Sequence, residues 1–299
     1  MNIRDLKYLV AVAELKHFGH AADACHVSQP TLSTQLKKLE ETLGVVVIER
    51  TNRQVLLSGV GEKIVLQAKR VLSEVDELMR IADQHRDPFG GDLRLGIIPT
   101  VAPYLLSRIL GPIRKRFPKL RIQLYEGQTV DISARLKLGE LDAIILALPL
   151  IDDQVEIRTL YKEPFYFTLS TLHPLAGKKQ IAIKDLAAER MLLLEDGHCL
   201  RDQALSVCDS AGAVENTNFR ATSLETLRQM VCANVGTTLM PELALTKTAG
   251  LRYIPFEHAA RASSPHREIG LCWRRASSRG ELLEEMTEVL RTAVGEVLQ

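Results

Sequence analysis

Apolar residues recur at helical spacing over the first forty positions, and the pattern breaks at turn residues. Ile3, Leu6, Leu9, Val10 and Ala13 mark a first amphipathic helix. Ala21, Ala22 and Ala24 begin a compact second helix that ends near His26. Val27-Ser28-Gln29-Pro30 reads as a tight turn, with Ser28 as N-cap and Pro30 in the first turn of a third helix. Leu32, Leu36 and Leu39 face inward there, leaving Thr31, Ser33, Thr34, Gln35 and Lys37 outside. Two short helices joined by a small turn, the second polar on its outer face, predict a helix-turn-helix. Residues 49–53 read as the tip of a wing and 55–57 as its strand.

From Gly61 to His85 there is no proline, and Val65, Ala68, Leu72, Val75, Met79 and Ala82 alternate by three and four. Such a seam suits a helix paired with a second copy, or one packed on its own domain. Pro88-Phe89-Gly90-Gly91 ends it and marks a domain boundary. Beyond Asp92 apolar strands alternate with helices: strands at 93–98, 121–125 and 143–147, helices at 102–116 and 131–137. A second series follows, with a strand at 190–194, helices at 199–211 and 224–234, and a strand at 237–240. A strand at 267–273 and a helix at 281–297 return to the first unit. Repeating strand–helix units predict a parallel sheet with helices on both faces.

The chain has 299 residues, enough for more than one domain, and a net charge of +1. Charge alone does not point to nucleic acid. The longest apolar stretch, 143–151, is too short to span a bilayer, and Asp5, Lys7 and Glu14 interrupt any leader-like run, so a cytoplasmic protein is expected. Five cysteines (25, 199, 208, 232 and 272) are too few and scattered for a secreted disulfide framework. His17, His20, Cys25 and His26 match no standard zinc spacing, so neither a metal nor a cofactor is expected.

Cys199 and Cys208 stand nine positions apart in the helix read at 199–211. Leu200, Ala204, Val207 and Ala211 form its apolar stripe, with Cys208 beside it. Nine helical residues advance the chain by about 13.5 Å. A disulfide needs Cα atoms within about 4.4–6.8 Å, so this pair cannot bond while the helix stands. Cys208 also reads as a plain core residue. Cys199 differs: it begins the helix, after Gly197 and beside His198 and Arg201, and helix N-termini and nearby cations favour thiolate chemistry. Cys25, Cys232 and Cys272 read as structural.

Phe18, Ala21-Ala22, 27–33, Leu39-Glu40, Leu43-Gly44, Glu49-Arg50 and 57–62 together resemble the LysR-type transcriptional regulators. The resemblance implies a multidomain chain: an all-α winged helix-turn-helix DNA-binding domain (1–60), a long linker helix for dimerisation (61–88) and an α/β regulatory domain (89–299). The last is expected to be periplasmic-binding-like, with subdomain I at about 91–161 and 267–299 and subdomain II at about 162–266. By match, Gln29, Pro30, Thr31, Ser33 and Lys37 are the helix contacts to an operator, and Arg50 and Arg53 the wing contacts.

The run 197–204 with Cys208, followed by 219–227, resembles the OxyR group of hydrogen-peroxide sensors within that family. That implies a peroxide site of Cys199, Thr100, Thr129, His198 and Asp202, with oxidation of Cys199 and closure of a Cys199–Cys208 disulfide. It further implies activation of antioxidant genes through RNA polymerase, a homodimer assembling to a homotetramer, and resetting by a glutaredoxin- or thioredoxin-type dithiol. It implies a regulator rather than an enzyme. The alternative is a LysR-type regulator that answers a small metabolite without cysteine chemistry; a thiol peroxidase would leave the helix-turn-helix without purpose.

Overall fold

A computed structural model describes residues 1–50, 55–84, 87–257 and 264–295. The chain divides into two compact units, one holding Met1–Arg86 and the other beginning at Asp87.

In the first unit, α1 (Ile3–Leu15) starts in a reciprocal cap: Asn2 Oδ1 accepts from the Asp5 amide, and the Asp5 carboxylate accepts from the Asn2 amide. His17 caps α2 (Phe18–Ala24), its Nδ1 accepting the His20 N–H at 3.2 Å, and its ring stacks on His20. A cap and a stack account for two members of the candidate metal cluster. α3 (Gln29–Leu43) starts at Ser28, whose Oγ accepts from the Thr31 amide, and ends at Gly44 in the left-handed region. Leu32, Leu36 and Leu39 meet Leu6, Leu9 and Val12 of α1 in one core. β1 (Ile48–Arg50) and β2 (Val55–Leu57) pair antiparallel as the wing. Glu40 Oε1 accepts both the Val47 and the Ile48 amides, tying α3 to the strand that follows.

α4 (Gly59–Gln84) begins so close to the wing that a Cβ on Gly61 would lie 2.2 Å from the Val47 carbonyl oxygen. The seam divides along this helix. Val65 and Ala68 are buried in the first unit's own core, and Leu72 packs against it. Beyond them Leu78, Met79 and Ile81 are exposed. The first part of the apolar stripe therefore serves its own domain, and only the later part is open to a partner.

The second unit contains β3 (Gly91–Ile97), α5 (Ala102–Arg116), β4 (Leu120–Glu126), α6 (Thr129–Lys137) and β5 (Ala143–Leu148), then the 16-residue β6 (Val155–Ser170). It continues with β7 (Arg190–Leu194), α7 (Cys199–Ala211), β8 (Val214–Ala221), α8 (Leu224–Cys232), β9 (Thr238–Pro241), β10 (Leu251–Pro255), β11 (His266–Arg274) and α9 (Gly280–Gly295). The expected parallel sheet forms only in part. β3 pairs parallel with β4 and β5, and β7 with β8, but β11 runs antiparallel to both β5 and β6, and β9 and β10 antiparallel to β6. The reason is that β11 arrives from the far end of the chain and inserts between β5 and β6. A strand's own alternation encodes burial, not direction.

Two cores lie along this unit. One is built on β3, β4, β5, β11, α5, α6 and α9; the other on the latter part of β6 with β7, β9, β10, α7 and α8. β6 runs through both, pairing with β11 up to Pro164 and with β10 and β9 beyond it. Among the described residues no helix is long and apolar enough to cross a membrane.

Candidate redox site

α7 has the bounds that the sequence predicts. Gly212 ends it in the left-handed region, and His198 stands at its N-cap without a side-chain capping bond. Cys199 is half-buried and leans on the first core. Cys208 is 2 % exposed and belongs to the second. The two thiols thus sit at opposite ends of the helix in different apolar surroundings, and all five cysteines are free. Burial, with Asp209 and Glu215 nearby, pushes the Cys208 thiol up to about 11. Cys208 is therefore a protonated, unreactive thiol while α7 is intact. Burial raises Cys25 as well, against the opposing charge of Lys7, and pushes Cys272 up to about 12.

The turn before Cys199 is fixed by backbone conformation. Gly197 has φ +94°, a conformation that strains any L side chain, and its Cα packs beside the Gln128 amide. That packing seats the 197–199 turn against the start of α6. His198 is buried, and burial holds its imidazole below the usual histidine range despite Glu195 at 4.0 Å. It is a neutral ring at pH 7, not a cation.

Arg201 departs from expectation. Rather than facing Cys199 as a free cation, its guanidinium is buried and satisfied elsewhere. Nη1 donates to Glu215 Oε1 at 2.7 Å and to the Leu194 carbonyl at 3.1 Å, Nη2 to Glu215 Oε2 at 3.0 Å, and Nε pairs with Asp196 at 2.9 Å. A buried guanidinium needs acceptors for its five donors, and these lie on the β7 and β8 side of the helix. Asp202, one residue on, is exposed.

Thr100 and Thr129 follow β3 and β4, at strand ends where α/β sheets bind ligands. Thr100 is 2 % exposed. Its Oγ1 accepts from Arg267 Nη1 and its carbonyl from Arg267 Nη2, both at 3.1 Å. Thr129 is the first residue of α6, and its buried hydroxyl has no partner among the described residues. Gln203, one turn beyond Cys199, donates from Nε2 to the Leu148 carbonyl at 3.4 Å, and its buried Oε1 has no partner among the described residues.

Sequence reading missed Glu163, Arg267, Gln128 and Gln203. No local signal singles out the first two: β6 also carries Glu156, Arg158 and Lys162, and β11 carries Glu268 and Arg274, so only the folded sheet shows which charges are buried as a pair.

On the DNA side, Gln29, Pro30, Thr31 and Lys37 are exposed along one end and face of α3, and Ser33 is half-buried. Arg50 closes β1, and Arg53 lies outside the described residues.

Known proteins resemble this chain in sequence and in fold. Residues 3–62 match the bacterial regulatory helix-turn-helix proteins of the lysR family, and residues 86–295 the LysR substrate binding domain. The chain is 48% identical over 97% of its length to the DNA-binding transcriptional dual regulator OxyR of Escherichia coli K12, covering 95% of that protein. Full-length OxyR from Pseudomonas aeruginosa, a cysteine-to-aspartate variant, is 34% identical with a TM-score of 0.77, over 97% of this chain and 98% of that one. A hydrogen-peroxide-bound mutant of Corynebacterium glutamicum OxyR is 34% identical with a TM-score of 0.68, over 99% and 93% of the two chains. The chain belongs to the LysR family and, within it, to the OxyR group.

Proposed function

We propose that this protein is a transcriptional regulator that senses hydrogen peroxide through Cys199 and Cys208. The observation that carries the reading is the placement of two free thiols on one helix, Cys199 half-buried at its start and Cys208 sealed in a different core. The similarity to a regulator of that kind supports it.

In the first step the Cys199 thiolate forms an S–O bond with one peroxide oxygen as the O–O bond breaks. The other oxygen leaves as hydroxide and takes a proton to become water, and Cys199 becomes a sulfenic acid. Thr100, Thr129, His198 and Asp202 are the residues proposed to hold and polarise the peroxide. In the second step α7 opens, which relieves the burial that keeps Cys208 protonated. Its thiolate attacks the Cys199 sulfur, the S–S bond forms, the S–O bond breaks, and a second water departs. Closing a ten-residue loop constrains the unfolded segment by about 2.7 kcal/mol on the chain-entropy model. That is comparable with the cost of opening a short local element, so the two forms are close in energy. A cellular dithiol of the glutaredoxin or thioredoxin type reverses the bond. The chemistry is stoichiometric and serves signalling, not turnover.

The domains proposed are a reading head (1–60), a dimerising helix (61–88) and a regulatory domain (89–299), the last as two periplasmic-binding-like subdomains around the two cores. α3 is proposed to enter the major groove with Gln29, Pro30, Thr31, Ser33 and Lys37, and the wing to reach the backbone with Arg50 and Arg53. The exposed Leu78, Met79 and Ile81 suit a homodimer seam, and dimers are proposed to pair into a tetramer that acts on RNA polymerase in the cytoplasm. Footprinting of bound operator DNA before and after peroxide tests the reading. A footprint that changes in the native protein and not in Cys199→Ser supports it, and one that ignores peroxide in both refutes it.

A further inference from the structure

We propose that Glu163 is a positioning residue of the peroxide site: it holds Arg267 so that the Thr100 hydroxyl is left with its proton free to donate. The inference rests on the reading of Thr100 as a peroxide ligand.

Glu163 and Arg267 are direct cross-strand partners in the β6–β11 register, and both are almost wholly buried, at 0 % and 2 % exposure. Glu163 uses both carboxylate oxygens. Oε2 accepts from Arg267 Nε at 2.8 Å, and Oε1 accepts from the Leu243 amide at 2.6 Å, in the short turn after β9. With Nε fixed, the far end of the guanidinium reaches Thr100 through two bonds, one to its hydroxyl oxygen and one to its carbonyl. Four segments therefore meet on one buried ion pair.

The consequence lies in donor and acceptor counting. A threonine hydroxyl has one hydrogen and two acceptor positions, and a guanidinium has donors only. Arg267 fills one acceptor position of Thr100 and offers nothing in return, so the hydroxyl hydrogen is directed away from it. The same guanidinium bonds the Thr100 carbonyl, which fixes the backbone that carries the hydroxyl. A donor so oriented stabilises the negative charge that grows on oxygen as the O–O bond breaks. Glu163 touches neither thiol nor peroxide in this account; it acts through Arg267.

Glu163→Gln keeps the shape but leaves one acceptor oxygen for two donors, Arg267 Nε–H and the Leu243 amide. The test uses the full chain carrying Cys208→Ser, so that only the first oxidation is read. Rates of Cys199 sulfenic acid formation with hydrogen peroxide are measured by timed trapping, for Glu163→Gln, Thr100→Val and the two combined. Glu163→Gln is expected to slow the reaction roughly tenfold, a fraction of the loss from deleting a charge-stabilising donor outright. Thr100→Val should slow it more, and the combination should match Thr100→Val within about twofold, as residues acting through one group are non-additive. An equal loss from Glu163→Gln with or without the Thr100 hydroxyl, or no loss at all, overturns the proposal. If Thr100→Val alone has no effect, the reading of Thr100 as a peroxide ligand fails first. Should Glu163→Gln not fold, Arg267→Lys takes its place in the same cycle, since an ammonium cannot span Glu163 and both Thr100 oxygens.

Discussion

Arg201 and Glu215 form a two-pronged ion pair, at 2.7 and 3.0 Å, that fastens the first turn of α7 to β8. Both side chains are largely buried, and Arg201 also holds the Leu194 carbonyl at the end of β7. The pair fastens the helix at the end where Cys199 sits, so in the proposed switch it acts as a latch against the opening that brings Cys208 to Cys199.

Weakening this latch should separate the two chemical steps. Glu215→Gln removes one charge and replaces a two-oxygen acceptor with one, at a cost of about 1–2 kcal/mol to the closed form. Stopped-flow mixing with peroxide is expected to show disulfide closure several-fold faster, and sulfenic acid formation unchanged. A variant that closes more slowly than the native chain would show that the pair is needed in the opened form instead.

The buried His198 makes the closed turn sensitive to acid. Burial lowers its folded-state pKa below the ordinary value of 6.5, so the unfolded chain binds the proton more readily than the folded one. Its contribution is constant above about pH 6.5 and is lost progressively as pH falls below that value. Thermal unfolding from pH 7.5 down to pH 5.5 should show a fall in midpoint that is smaller in His198→Gln. Parallel curves for the two proteins would remove His198 as the origin.

Cys272 and Cys232 are expected to lie outside the proposed switch. Cys272 is wholly buried in β11, so Cys272→Ala should destabilise the fold by roughly 1 kcal/mol, the usual size for a small core truncation, and leave peroxide sensing intact. Cys232, whose thiol donates to the Ala249 carbonyl, should likewise tolerate alanine. Loss of sensing in either folded variant would reassign it to the redox pathway.

On the DNA side, Lys37 is exposed on α3 and only loosely paired with Glu41 at 4.0 Å. If it meets a phosphate, Lys37→Ala should weaken binding about equally on any sequence and reduce the salt slope by about 1. A change in preferred sequence with an unaltered slope would make it a base contact.

Much of this was legible in the chain, for identifiable reasons. Ser28, Pro30 and the Leu32, Leu36, Leu39 stripe are local signals, and α3 follows them. Gly212 and the 199–211 periodicity likewise fix α7 within one element. What stayed hidden is relational. The alternation of β11 tells that it is buried but not that it inserts antiparallel between β5 and β6. Arg201 reads as a cation beside Cys199 because its partner, Glu215, is fourteen residues on, across the helix. Arg267 and Thr100 are 167 residues apart, and only the folded sheet joins them.

Peroxide is proposed to join Cys199 to Cys208, and a peptide mass map without reductant reads that bond itself. After one equivalent of hydrogen peroxide a Cys199–Cys208 linked peptide is expected, absent beforehand and abolished in Cys199→Ser, with Cys208→Ser stopping at one added oxygen on Cys199. Unmodified cysteines, or a bond that joins either thiol to Cys25, Cys232 or Cys272 instead, would contradict it.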